Sequence, residues 1–176
     1  PNNQFRIVAR REVVADPARP GQLYAVEPVH IADDVGNEVD PSDVFFARSS
    51  DAGNSWDNSF TVGPYETNVL NDDNYGQMAT GAPSDVTAGQ VFSRSAVDSQ
   101  GNLVVIWYDT RRDPADHLLD VWAALSTDGG ETFGPNARIT DVSFDADQGA
   151  FINALGDDEF YLGDFIGLSI GGGNIY

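Results

Sequence analysis

Asp43-Val-Phe-Phe-Ala-Arg-Ser-Ser-Asp-Ala-Gly-Asn-Ser-Trp56 and Asp120-Val-Trp-Ala-Ala-Leu-Ser-Thr-Asp-Gly-Gly-Glu-Thr-Phe133 are two versions of one pattern. Each opens on Asp-Val, runs as an apolar strand into a turn of Ser, Asp and Gly, and closes on an aromatic residue. Asp51 and Asp128 hold the same place in the two versions, an offset of 77 residues. Self-similarity at a fixed spacing marks a chain built from repeated units, each needing its neighbour to bury a face. Around both stretches, short apolar runs bounded by Gly, Pro, Asn and Asp recur and helical periodicity is scarce, which predicts an all-β protein.

The first unit offers strands at Arg11 to Ala15, Gln22 to Glu27, Val44 to Ser49 and Phe60 to Val62. The second offers Phe92 to Val97, Leu103 to Tyr108, Leu119 to Leu125 and Ala137 to Thr140. A third opens with Phe165 to Ile170, turns at Gly171-Gly-Gly173 and enters Ile175-Tyr176. Four antiparallel strands per repeated unit predict the blades of a β-propeller. All of 1–176 is then part of one domain, with a blade over 11–64, a second over 91–141 and the start of a third over 160–176. Two blades and an opening do not close a ring. The sequence therefore reads as a fragment of a longer chain, or as a protomer completed by other copies, with Phe165 to Tyr176 expected to contact something outside it.

Loop length sorts the two ends of such a unit. Asp16 to Gly21, Asp98 to Gly101 and the turns at Asp51 and Asp128 are short and fall at one end. Val29 to Asp43, Asp109 to Leu118 and Gly63 to Gln90 are long and polar, and fall at the other. Long loops gathered on one side of a rigid scaffold are where binding concentrates.

Composition narrows the partners. Nine basic residues, all arginine, stand against 28 acidic ones for a formal charge of −19. Nucleic acid is excluded as a partner, since phosphate binding needs net positive surface. There is no cysteine, hence no disulfide or thiolate metal site. The longest apolar run, Leu103 to Trp107, is far short of the ~20 residues of a membrane-spanning helix, so no span is expected.

Ser49-Ser-Asp51-Ala-Gly53-Asn-Ser55-Trp56 and Ser126-Thr-Asp128-Gly-Gly130-Glu-Thr132-Phe133 resemble the Asp-box, Ser-x-Asp-x-Gly-x-Thr-Trp, of the sialidase-like (BNR-repeat) propellers. The residue types suit the turn. A carboxylate accepts the turn's N–H groups, Gly supplies positive φ, the hydroxyl closes a local bond and the aromatic plugs the space between strands. Ser55 for Thr and Phe133 for Trp are the departures. Tyr161-Leu-Gly-Asp164-Phe-Ile-Gly-Leu168 resembles a run common in secreted bacterial proteins of this family. The resemblance implies an extracellular or cell-surface protein, a sialidase-like glycoside hydrolase or a glycan-binding propeller, acting on a glycan at the long-loop face.

Sialidases of the family hold the substrate carboxylate with three arginines and use an Asp as acid/base and a Tyr activated by a Glu as nucleophile. Arginine forks a carboxylate bidentately, which is why the type is needed there. On the resemblance, Phe5-Arg6-Ile7-Val8 is similar to the first-arginine motif, with Val8 for its Pro. Tyr108-Asp-Thr-Arg111 is similar to the element supplying another arginine. Asp113 and Asp116 follow where the acid/base Asp is kept, and Asp33 and Asp34 occupy the equivalent loop of the first unit. Arg6, Asp34, Arg111, Asp113 and Asp116 are the catalytic candidates; Asp51 and Asp128 are read as structural staples. The alternatives for Arg111 are a salt bridge to Asp109 or Asp113, and for the aspartates turn caps. The alternative function is a non-catalytic propeller serving adhesion, surface structure or assembly. Glu159 and Tyr161 are read as a strand-surface pair.

No cofactor is required by this reading. Acidic clusters at Asp33-Asp34, Asn71 to Asn74 and Asp157 to Glu159 could bind Ca²⁺ through oxygen ligands, though none has the spacing of a dedicated calcium loop. His30 and His117, without a third ligand signal, are read as loop polar groups and no metal residue is assigned.

Overall fold

A computed structural model describes residues 11–32, 38–57, 70, 88–152, 158–160 and 166–176. The described chain is all-β and antiparallel within its sheets. Strands β1 (Glu12–Ala15), β2 (Leu23–Ala32) and β3 (Glu38–Ser49) form one meander, in the order β1-β2-β3. Strands β4 (Gln90–Val97), β5 (Leu103–Asp109), β6 (Asp120–Ser126) and β7 (Ala137–Arg138) form a second, β4-β5-β6-β7. A 3-10 turn at Ala146–Gly149 precedes two small hairpins, β8 (Ala150–Ile152) with β9 (Asp158–Phe160), and β10 (Ile170–Gly171) with β11 (Asn174–Ile175).

The repeat is visible in the hydrogen bonding. Leu23 pairs with Ser49, and Leu103 with Ser126. Asp57 N–H donates to Arg48 C=O at 2.9 Å, and Gly134 N–H to Leu125 C=O at 2.8 Å. The first turns match as well: Asp16 N–H bonds Gln22 C=O, and Asp98 N–H bonds Asn102 C=O, each at 3.0 Å.

The two meanders lie face to face. Tyr24, Val26, Val44 and Phe46 of the first pack on Leu103, Val105, Trp107, Ala124 and Phe133 of the second to form the main core. Successive strand residues point to opposite faces. Val104, Ile106 and Ala123 accordingly face away and pack beneath Ile166, Leu168 and Ile170. Burial on both faces is why β5 reads as the unbroken apolar run Leu103 to Trp107 rather than as an alternation.

Several expectations change. The Val29 to Asp43 loop is mostly strand: β2 continues to Ala32 and β3 begins at Glu38. The two strands run on as a long hairpin with irregular register near Ile31, which the polar composition concealed. Phe165 to Ile170 is not a strand over most of its described part: Ile170 and Gly171 pair with β11 and Ser169 exchanges backbone bonds with Tyr176 at 2.9 and 2.8 Å, while Ile166 and Leu168 pack their side chains on the second sheet. The fourth strand of the second unit shrinks to Ala137–Arg138. Phe60 to Val62 lies outside the described residues, and among those described no closed ring of sheets is present.

Candidate functional site

At the short-turn end the two boxes make the same bonds. Ser49 Oγ donates to Asp51 Oδ1 at 2.8 Å and accepts Gly53 N–H at 2.9 Å; Ser126 Oγ donates to Asp128 Oδ1 at 2.8 Å and accepts Gly130 N–H at 2.9 Å. Ser55 gives Asp51 its N–H and hydroxyl at 2.8 and 2.6 Å, and Thr132 gives Asp128 the same pair at 3.0 and 2.5 Å. The Ser55 hydroxyl and N–H hold the Asp51 carboxyl down at about 2. Burial would raise Asp128, but the Thr132 donors outweigh it and bring it to about 2 as well. Both aspartates are turn staples. Trp56 is half-buried and Phe133 sits in the core.

The long-loop end holds the candidate chemistry, carried by the loop from Thr110 to Leu119 between β5 and β6. Arg111, three residues past the partly buried Tyr108, is almost wholly buried, its side chain 3% exposed. Its Nε and NH2 donate to Asp109 Oδ2 at 2.8 and 2.5 Å, and its N–H to Asp109 Oδ1 at 2.8 Å. NH1 donates to Asn136 Oδ1 at 3.0 Å, and the guanidinium carbon lies 4.4 Å from the centre of the Trp122 ring. Trp107 Nε1 adds a further donor to Asp109 at 2.9 Å. Arg111 thus joins β5, β6 and the approach to β7, and its bidentate fork is filled by a carboxylate of the chain itself.

Asp113 closes the loop on itself. It accepts N–H groups from Ala115, His117 and Leu118 at 3.1, 3.2 and 2.8 Å. The backbone donors of Leu118 and then Ala115 lower its pKa. Asp116 adopts φ 52°, a left-handed conformation that Asp tolerates better than most residues. Its Oδ1 accepts the Thr110 hydroxyl and Gly89 N–H, which ties the loop to the start of β4. Arg6 and Asp34 lie outside the described residues, so the structure brings together Arg111, Asp113 and Asp116 only.

Two features were not singled out from sequence. Asp120, 1% exposed, accepts Arg138 Nε and NH2 at 2.9 and 2.7 Å, the Thr140 hydroxyl at 2.7 Å and the Ser143 hydroxyl at 2.9 Å. Burial pushes its pKa up, and the Thr140, Arg138 and Ser143 donors bring it below the ordinary value. The signal was present, since Asp43 and Asp120 both open the repeated stretch and both are buried. Second, His117, read from sequence as a loop polar group, has acidic neighbours that reading missed: Nε2 lies 2.9 Å from Asp145 Oδ1, and Nδ1 lies 3.9 Å from Asp147 Oδ2.

His117, Asp145 and Asp147 bring one ring nitrogen and two carboxylate oxygens within 4.8 Å of one another. Such a donor set could hold a divalent cation, and its nitrogen suits a transition ion better than oxygen-seeking Ca²⁺. Asp145 already has partners: it accepts Asp147 N–H and the Gln148 amide, and the Gln148 bond leads the lowering of its pKa. The clusters expected to take Ca²⁺ lie outside the residues and side chains described, as do the His30 side chain and Tyr161.

Two antiparallel meanders packed face to face, each carrying the same hydrogen-bonded Asp turn, define an all-β repeat protein. No protein-family model matches the chain, and no curated protein is similar to it. No helix among the described residues is long and apolar enough to cross a membrane.

Proposed function

We propose that this chain is part of a sialidase-like Asp-box β-propeller, extracellular or at the cell surface, that holds a glycan at its long-loop end without cleaving it through Arg111, Asp113 or Asp116. Two units related by the 77-residue offset, with matching turn bonds and a shared core, support the propeller. The observation that carries the non-catalytic reading is the filled fork of Arg111 on Asp109. An arginine that recognises a substrate carboxylate must present its N–H pair to solvent. A general acid near neutral pH needs a raised pKa, whereas Asp113 has a lowered one.

Incubation with fluorogenic sialosides, together with a glycan array, tests this. The expected result is glycan retention with no release of the fluorophore. Turnover that disappears in a folded Asp113→Asn variant would establish the hydrolase instead. Absence of retention on every glycan class would leave adhesion or assembly through protein contacts as the role.

A further inference from the structure

The loop between β5 and β6 and the chain after β7 bring together three side chains that the proposed function does not use. Leu119 N–H donates to Phe144 C=O at 2.8 Å, and Phe144 N–H to Leu119 C=O at 2.9 Å. Leu119 is fully buried, and Phe144 packs edge to face on Tyr108 with centroids 5.7 Å apart. His117, two residues before one end of this bridge, therefore meets Asp145 and Asp147, one and three residues past the other. The backbone on both sides is held. Asp113 accepts the His117 N–H at 3.2 Å, and Ala146, between the two aspartates, is buried against Leu119 and Phe92.

The imidazole stands between two carboxylates, with Nε2 2.9 Å from Asp145 Oδ1 and Nδ1 3.9 Å from Asp147 Oδ2. A neutral imidazole carries one N–H, so it can donate to one of these acids while its lone pair is left for the other side. A separation of 3.9 Å is too long for a hydrogen bond. It lies within the span of two ligands bound to one ion at about 2.0–2.2 Å each. No arginine pairs with Asp145 among the described residues; its other donors are the Asp147 N–H and the Gln148 amide. The side chains of His117, Asp145 and Asp147 are 32, 26 and 16% exposed, so an ion can enter from solvent and is partly shielded once there.

We propose that His117, Asp145 and Asp147 form a binding site for one divalent transition ion, of which Zn²⁺ is the best fit. The donor set is one ring nitrogen and two carboxylate oxygens. Imidazole suits zinc and its transition-metal neighbours, whereas Ca²⁺ and Mg²⁺ take oxygen ligands. The nitrogen separates this site from the diffuse attraction of any cation to a chain of charge −19. No fourth His, Asp or Glu joins the three among the described residues, so solvent completes the shell, and its position is open to an exogenous oxygen ligand. An ion here fastens the loop that carries Arg111 to the chain after β7, two segments that the Leu119 to Phe144 bridge already sets side by side. The site goes beyond the glycan reading and does not depend on it.

The test is a calorimetric titration of chelator-treated protein with Zn²⁺, with the ring resonances of the chain's two histidines followed by NMR. One Zn²⁺ per chain should bind and shift the His117 ring. Mn²⁺ should bind more weakly, and excess Ca²⁺ or Mg²⁺ should not displace Zn²⁺. His117→Gln keeps a donor for Asp145 while removing the nitrogen ligand, and Asp147→Asn removes one carboxylate; each should weaken binding by more than about tenfold. Asp141→Asn, an exposed acid outside the trio, should leave binding unchanged. The NMR titration uses the unaltered chain and so decides the matter even where a variant fails to fold. No uptake of Zn²⁺, uptake with an unmoved His117 ring, or release of Zn²⁺ by Ca²⁺ would overturn the assignment. So would undiminished binding in His117→Gln and Asp147→Asn, or an equal loss in Asp141→Asn, which would make the ion a diffuse counterion. Glycan retention and sialoside turnover are read separately and leave this result unaffected.

Discussion

The ring of Phe133 meets that of Phe46 edge to face, with centroids 5.0 Å apart and planes inclined at 79°. One ring closes the turn of the second unit; the other belongs to the third strand of the first. The repeat therefore joins its units through the box aromatic. Phe133→Ala should lower unfolding free energy by about 3–5 kcal/mol, the range for emptying a buried aromatic site. Urea denaturation is the measurement. Phe133→Leu should cost less, because most of the volume is kept.

Gly130 lies under the same ring at φ 77°, and a Cβ there would come 2.7 Å from Phe46 Cζ and 3.2 Å from Tyr24 Cε1. Both the backbone conformation and the contact exclude a side chain. Gly130→Ala should destabilise by more than about 1 kcal/mol. Gly134→Ala is the control, since its Cβ would meet only Leu125 C=O at 3.7 Å. A thermal melt separates the two.

Asp51 and Asp128 have folded pKa values of about 2, below their ordinary value. A carboxylate depressed by folding adds stability above its unfolded pKa, and the contribution disappears as pH falls through the folded one. Stability should thus decline as pH drops from about 4 towards 2. The double variant Asp51→Asn, Asp128→Asn should be less stable at pH 7 and show a shallower decline over that window, followed by denaturant midpoints.

Removing Arg111 would leave the Asp109 carboxylate buried without its countercharge. Arg111→Ala is expected to cost about 3–5 kcal/mol. Arg111→Lys should also lose stability, since an ammonium cannot make the paired contact to Oδ2 while bonding Asn136. Adding Asp109→Asn to Arg111→Met should recover part of the loss by removing both charges, as a double-mutant cycle would show.

Much of the strand order was legible in the sequence. Alternation and turn chemistry act over a few residues, and the 77-residue echo set β3 and β6 in register with each other. What failed was non-local. The polar stretch between Val29 and Asp43 looks like loop composition, yet residues 38–41 extend β3 because Ala32 and Ile31 of β2 lie alongside to pair with Glu38 and Asp40. Phe165 to Ile170 looks like a strand, but over its described part strand-type pairing is confined to Ser169 and Ile170 at its end.

The candidate site divides in the same way. Residue types in the Thr110 to Leu119 loop set Asp113 and Asp116 close to Arg111, because charge and turn preference belong to the residues themselves. Their occupation did not follow from type. Arg111 could have faced a ligand; Asp109, Asn136 and Trp122, brought in from three elements, enclose it instead. His117 met Asp145 and Asp147 only because the chain after β7 folds back, with Leu119 and Phe144 bridged. The sequence by itself determined the all-β class, the repeat and the turn staples, all set by interactions within a few residues. Only the tertiary structure decided which polar groups are satisfied internally, since burial and hydrogen-bond partnership are properties of neighbours distant in the chain.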